Sequence, residues 1–585
     1  MTKKRQIKAG SITVWAAISL GCVLLAIAAY FVSDKWAWAC EKGELNAWCA
    51  RQPARAPGLG TLVLPSGVSV QPGFPIVAAE ISCSPGVMFD IDGASGQEAL
   101  FGVAQGPGSG DVQKSYDALW AAKGDGKCAK KWPVTIPGHV CSGPAVGDIT
   151  GSSDVEVVVG SDQDPGNSSK RPDHRVYAFS KDGSPVSGFP KELEAGKVEG
   201  IPTLADIAGD SKLEIILGTA GYWTKSGNAV TQCAGKRVAL EGDGDFVTGW
   251  NKAATSAVII NSAAVGDLYE DGNKYVGKEI VFVASKFSNT QGNPSFEQHI
   301  WVFDKSGKLM LDYNLANGND AERCYSAGYG AASPAIGVLK SYGTETKSNL
   351  VVLTENSWDS GKTTGTVGTI KIYHIAKVSG APSLVEDTSV DADEQSCGSN
   401  EESYDTFVSS PCIGDLDGDG QNEVVAYSRY GQLYVVDYIS SSFVTYTEEV
   451  VDCANVAAPC SHQKISGPIL VDIDDDNGDH PDLEIIVAAL PPTGVVNPIP
   501  YIRVYNYDST AQDQITKSFE IELDALAVAT VCAGEMDTDD KVEVIAQAYG
   551  FGGRVWAFQF DNSDYDSSAG WWCECGNAAR TSCAD

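Results

Sequence analysis

From residue 73 to residue 561 the apolar residues come in short runs rather than in a helical period, and the runs occur in pairs around an acidic turn. In "PAVGDITGSSDVEVVVGS" a small-residue run enters Asp148, passes Gly151 and leaves as a β-branched run. The same frame recurs as "GVMFDIDGASGQEALFGVA" at Asp90, "PTLADIAGDSKLEIILGT" at Asp206 and "AAVGDLYEDGNKYVGKEIVFVAS" at Asp267. It continues as "PAIGVLKSYGTETKSNLVVLTE" at Val338, "CIGDLDGDGQNEVV" at Asp415, "PILVDIDDDNGDHPDLEIIVAA" at Asp472 and "TVCAGEMDTDDKVEVIAQA" at Glu535. These eight units repeat every 60 to 80 residues or so, too long for a solenoid and suited to a four-stranded propeller blade with insertions.

A second half follows in most units. "RVYAFSKDGSPVSGFPK", "HIWVFDKSGKLMLDY", "GQLYVVDY" and "RVWAFQFD" alternate aromatic and β-branched residues, and the first two then turn on Asp-Gly or Ser-Gly. Each unit therefore reads as strand, acidic loop, strand, hairpin, and the body of the chain as all-β. The phase of the repeats also predicts how the ring closes. Unit two sends out a fourth strand through "GFPK" at 188–191, whereas unit eight stops at "RVWAFQFD" and an orphan "GFPIV" sits ahead of unit one at 73–77. An open last blade would leave an unpaired edge, so Gly73 to Val77 is expected to complete the blade holding Arg554 to Phe560. Eight blades are expected, with seven as the alternative.

The acidic turns carry the candidate chemistry. Carboxylates at alternate positions of a tight loop converge on one point, a backbone carbonyl follows, and a further acid closes an oxygen shell suited to a hard cation. The best loop offers Asp415, Asp417, Asp419, the backbone of Gln421, and Glu423. Glu535, Asp537, Asp539 and Glu543 form a second set; Asp472, Asp474 and Asp476 begin a third whose closing acid is obscured by the longer "NGDHPD". Asp90, Asp92 and Glu98 are a partial set, as are Asp206, Asp210 and Glu214, and at Asp148 and Asp267 an ordinary acidic turn is the better reading. Unit five has lost its carboxylates at Val338 and Lys340.

The pattern apolar-x-Gly-Asp-apolar-Asp-x-Asp-Gly, followed by Glu and β-branched residues, resembles the FG-GAP (VCBS-type) repeat of integrin alpha-chain propellers and microbial surface proteins. The resemblance spans roughly residues 73 to 561. It implies a β-propeller with calcium (Ca2+) in its strand-connecting loops and a role in binding or adhesion. No inserted ligand-binding domain of the integrin type is visible.

Composition bears on location and partners. The 585-residue chain has a net charge of −34, which argues against nucleic acid and against an anionic membrane surface as partners. Sixteen cysteines outside any zinc-type spacing indicate an oxidising, extracytoplasmic compartment. Cys40 with Cys49 and Cys453 with Cys460 are close enough to bridge locally; with Cys22 set aside the rest are odd in number, leaving one unpaired or joined to a partner chain. After "MTKKRQIKAG" an uncharged run from Ile12 to Val32 is long enough to span a bilayer, with basic residues placing the N-terminus in the cytoplasm. Cleavage after Ala26-Ile27-Ala28, prepilin-type cleavage between Gly10 and Ser11, and lipidation of Cys22 are the competing fates. The expected organisation is a cytoplasmic stub and anchor (1–33), a Trp- and Cys-containing linker (34–72), the propeller (73–561) and a Cys-rich tail (562–585).

No catalytic constellation is legible: the six histidines fall in different units, and no nucleophile elbow or phosphate-cradling loop is present. "ALWAAKGDGKCAKKW" faintly resembles a blade motif of quinone-dependent dehydrogenases, and FG-GAP-like blades occur in polysaccharide lyases, but neither brings a readable acid/base pair. The expectation is a non-enzymatic, single-pass surface protein recognising an extracellular protein or glycan, with a minor component of a surface filament as the alternative.

Overall fold

The computed structural model describes residues 62–577 apart from short stretches and loops, the longer of which are 106–115, 162–174, 269–277, 319–331, 355–367, 393–406, 451–466, 475–482 and 490–499. The stub, the apolar run from Ile12 to Val32 and the tryptophans near residue 40 lie outside the described residues, as do the local cysteine pairs. Among the described residues no helix is long and apolar enough to cross a membrane.

Among the described residues eight antiparallel blade sheets follow one another along the chain, as the repeats predict, with a small two-stranded hairpin, Ser341–Tyr342 with Glu345–Thr346, inserted in the fifth. Blade six shows the pattern: Cys412–Gly414, Glu423–Tyr427, Gln432–Ile439 and Ser442–Glu449 pair in chain order. Its first three strands are buried on both faces except at the end of the third, while the fourth alternates towards solvent. That gradient explains the sequence pattern, because inner strands packed between two neighbouring blades need continuous apolar runs and an outer strand does not. Each fully buried Val or Ile so placed contributes about 1.5–3 kcal/mol. The first strands of blades two through eight touch in succession, and that of blade eight returns to Val87–Phe89 of blade one. Five of the eight first strands end in glycine: a Cβ on Gly414 would lie 2.9 Å from side-chain carbons of both Leu470 and Leu483 in the next blade.

The ring closes as the repeat phase predicts. Ile76 and Val77 pair with Val555 and Arg554 on the third strand of blade eight. The closing segment also reaches further back than "GFPIV": Val68–Val70, which the sequence places in the linker, pairs with Phe558 to Phe560 of the same strand. The joint to blade one repeats the joint between blades two and three. Gly73 has φ 89° and a Cβ there would sit 2.1 Å from the carbonyl oxygen of Asp125; at Gly188 φ is 90° and the distance to the Asp243 oxygen is 1.8 Å. In both, a backbone turn lies flat against the Asp-Gly hairpin of the following blade, an approach only glycine permits.

Among its described residues the tail beyond residue 562 supplies no fourth strand but docks on the ring. Trp571 exchanges both backbone hydrogen bonds with Leu470 on the first strand of blade seven, and the Trp572 carbonyl accepts from Ala533 N–H in blade eight. Trp571 is 1% exposed, and Cys573 is buried in the core shared by blades eight, one and two.

Candidate metal centre

Each acidic loop joins the first strand of a blade to the second, and one glutamate opens nearly every second strand. Its carboxylate turns back to accept the N–H of the apolar residue in the loop: Ile91 to Glu98 (3.1 Å), Ile149 to Glu156 (3.0 Å), Ile207 to Glu214 (2.7 Å) and Leu268 to Glu279 (2.8 Å). Leu416 to Glu423 (2.7 Å), Ile473 to Glu484 (2.8 Å) and Met536 to Glu543 (2.6 Å) repeat the contact. In blade five, where the acids are gone, Asn349 takes over by accepting from Leu339 N–H at 3.4 Å. The glutamate is thus first a pin that satisfies a buried loop donor. It does so even in blades two, three and four, where the loop is poor in carboxylates.

Among the described residues four loops gather three acidic side chains, one oxygen of each within 4.8 Å of the others: Asp90, Asp92 and Glu98; Asp415, Asp417 and Glu423; Asp472, Asp474 and Glu484; Glu535, Asp537 and Asp539. The sequence-derived sets are therefore altered in detail. Asp419 does not join its group, because both its oxygens accept from Gln421, from the backbone N–H (2.8 Å) and the side-chain amide (3.1 Å). In blade seven Glu484, across the lengthened loop, is the closing acid the sequence left open, while Asp476 lies outside the described residues. In blade eight Glu543 is not among the three that converge; it accepts from Met536 N–H and from the Gln71 amide at 2.9 Å, which also donates to Asp537. At Asp148 the turn closes on itself, with Gly151, Ser152 and Ser153 N–H groups all donating to its carboxylate, as expected of an ordinary acidic turn.

Three of the four clusters differ in the groups that already contact them. In blade one the Lys123 ammonium lies 2.8 Å from Asp92 and 3.6 Å from Glu98. In blade eight Gln71, 2% exposed and carried in by the ring-closing segment, donates to Asp537 (3.2 Å), Glu543 and Gln559 (3.0 Å). In blade six no basic side chain pairs with Asp415, Asp417 or Glu423 among the described residues. Asp417 is met instead by the Ser509 hydroxyl at 2.5 Å, and Asp437, buried on the third strand, accepts from the Tyr507 hydroxyl at 2.7 Å. Both of those donors come from blade seven.

Crowding carboxylates in a buried place raises their proton affinity. Burial chiefly, opposed by the Leu416 N–H and reinforced by Asp437, Asp417 and Asp415, pushes Glu423 up to about 9. Burial likewise pushes Glu543 up to about 8 and Glu98 to about 7, and raises Asp415 and Asp437. The donors are carboxylate oxygens throughout, the type a hard divalent cation takes, with none of the thiolate or imidazole ligands typical of structural zinc and of copper sites in the four clusters. Asp415 Oδ1 is buried without a hydrogen-bond partner among the described residues, which is an orphaned acceptor at the place a cation would occupy.

Lys123, Gln71, Asp437 and Ser509 escaped the sequence analysis because each reaches its loop from another strand or blade, and Glu484 because the lengthened loop separates it from Asp472 and Asp474. The two described histidines, His299 and His374, each face an aspartate on the adjacent strand, Asp312 at 2.5 Å and Asp387 at 3.0 Å.

No protein-family model matches the chain, and no curated protein matches it. Solved structures similar to it include BBS1N in complex with ARL6DN, soaked with lead, at 10% identity and a TM-score of 0.34, covering 84% of this chain and 95% of that one. Sqt1 of Saccharomyces cerevisiae matches at 10% identity and TM-score 0.41 over 85% of this chain and 100% of its own. Sqt1 of Chaetomium thermophilum does so at 10% and 0.41 over 82% and 95%. The eight-bladed architecture rests on the strand pairing of the chain itself.

Proposed function

We propose that this protein is a membrane-anchored, extracytoplasmic propeller of the FG-GAP type that binds calcium in its strand-connecting loops and serves as a binding or adhesion module. The observation that carries the metal reading is the blade-six cluster, where Asp415, Asp417 and Glu423 converge with no basic partner among the described residues. Gathering these charges is unfavourable unless a proton or a cation compensates, and a divalent cation does so for several carboxylates at once. The anchor, the compartment and the extracellular protein or glycan ligand rest on the Ile12 to Val32 run, the cysteine content and the acidic charge. A pilin-like filament subunit remains the second reading, on the strength of the same N-terminal run.

A site with Kd near ~0.1 mM in ~1 mM calcium stabilises the native state by about 1.4 kcal/mol. Chelation should therefore lower the melting temperature of the full-length chain, and Asp417→Ala should remove part of that dependence. Superimposable melting curves with and without chelator would rule out calcium. Capture of a surface glycan or protein that is abolished by chelator would link the metal to recognition.

A further inference from the structure

The strand ladders place one residue of each third strand directly across from the pin. In blades two and eight the pairing is part of the ladder itself, Glu156 with Ser180 and Glu543 with Gln559. Carrying the blade-one ladder one residue past Ala99–Ala122 sets Lys123 opposite Glu98. The same step past Val424–Val436 sets Asp437 opposite Glu423 in blade six. The two contacts differ in sign. Lys123 holds its ammonium 2.8 Å from Asp92 and 3.6 Å from Glu98, inside the space between the loop carboxylates. Asp437, 3% exposed, instead brings another carboxylate towards the buried acids, anchored by Tyr507. The unpartnered Oδ1 of Asp415 belongs to the same loop cluster as Glu423.

Blade five shows the same substitution by another route. Lys340 stands in its loop where Asp417 stands in blade six, and its ammonium is 2.5 Å from Asp387. A protein-borne cation therefore recurs where the carboxylate set is broken or partly filled.

We propose that in blades one and six the third-strand residue facing the pin selects how the acidic loop is neutralised: Lys123 is the resident cation of blade one, whose loop takes no metal, whereas Asp437 completes a divalent-cation site in blade six. The physical basis is mutual exclusion. An ammonium within hydrogen-bond reach of Asp92 repels a second cation at the same point and uses the oxygens that cation needs, while a further carboxylate does the reverse. This rests on the calcium reading of blade six given above.

The experiment is calcium titration by calorimetry of the full-length chain in detergent, as wild type, Lys123→Asp, Lys123→Gln and Asp437→Asn. Lys123→Asp is expected to bind one more calcium ion than the wild type. Asp437→Asn, which keeps the size and the Tyr507 contact, is expected to bind the blade-six ion about tenfold more weakly or worse. Lys123 is partly exposed, so its replacement should leave far-UV circular dichroism unchanged; if the aspartate variant does not fold, a new weak site in Lys123→Gln makes the same point. A wild type that binds calcium while both Lys123 variants keep its stoichiometry overturns the selection by Lys123, and wild-type affinity in Asp437→Asn overturns the role of Asp437. A wild type that binds none overturns the calcium reading itself, and if the Lys123 variants also bind none, the inference falls with it.

Discussion

Replacing Gly73 by alanine tests whether the ring is held shut by the N-terminal segment. Two costs add at this position. Gly73 has φ 89°, a conformation that costs an L-residue about 1–2 kcal/mol. The new Cβ would also lie 2.1 Å from the carbonyl oxygen of Asp125 in blade one. Backbone on both sides cannot yield as a side-chain tip would, so the overlap adds about 1–3 kcal/mol. The total, about 2–5 kcal/mol, falls on the joint between blades eight and one. Gly93 is the internal control, since its φ is 69° but nothing lies within 4 Å of an added Cβ. Gly188→Ala, whose Cβ would meet Asp243 at 1.8 Å, is the matching perturbation between blades two and three. In urea unfolding of the full-length chain, Gly73→Ala and Gly188→Ala should lower the midpoint by similar amounts and Gly93→Ala by distinctly less. Equal shifts for Gly73→Ala and Gly93→Ala would mean that the closing turn does not bear on blade one.

Three further outcomes are expected. Glu423→Ala leaves the buried Leu416 N–H without its acceptor and should cost about 1–3 kcal/mol even in chelator, whereas Glu423→Gln retains an acceptor, as Asn349 does in blade five, and should cost much less; equal melting temperatures for the two variants in chelator would discount the pin. Trp571→Ala removes a side chain that is 1% exposed against the first strand of blade seven and should cost about 3–5 kcal/mol, a loss visible as a lowered melting temperature, while an unchanged one would show the tail to be dispensable. N-terminal sequencing of membrane-extracted protein should find a start within the first few residues if Ile12 to Val32 is an uncleaved anchor; a start at Ala29 or Ser11 would point to secretion or to a filament.

The amino-acid sequence by itself determined the all-β body and the repeat, narrowed the blade count to eight or seven, and located the Gly73 to Val77 part of the closing segment. These follow from periodicity and phase, which are local properties: an apolar run, an acidic turn and a β-branched run encode the same hairpin wherever they occur, and a missing fourth strand at one end must be matched by an orphan at the other. Even the glutamate pin leaves a trace, because Glu156, Glu214 and Glu279 persist where the loop carboxylates thin out, and Asn349 replaces them with another acceptor. What only the tertiary structure decided is the electrical state of each loop. Asp419 turns to Gln421 instead of inward, and Glu484 closes a loop whose length hides it. Lys123 and Asp437 face their pins across a strand pair, Gln71 arrives from the opposite end of the chain, and Tyr507 and Ser509 come from the next blade. Charge acts through space over a few ångströms without regard to separation along the chain, so a loop motif can specify where carboxylates gather while the packing of blades decides what neutralises them.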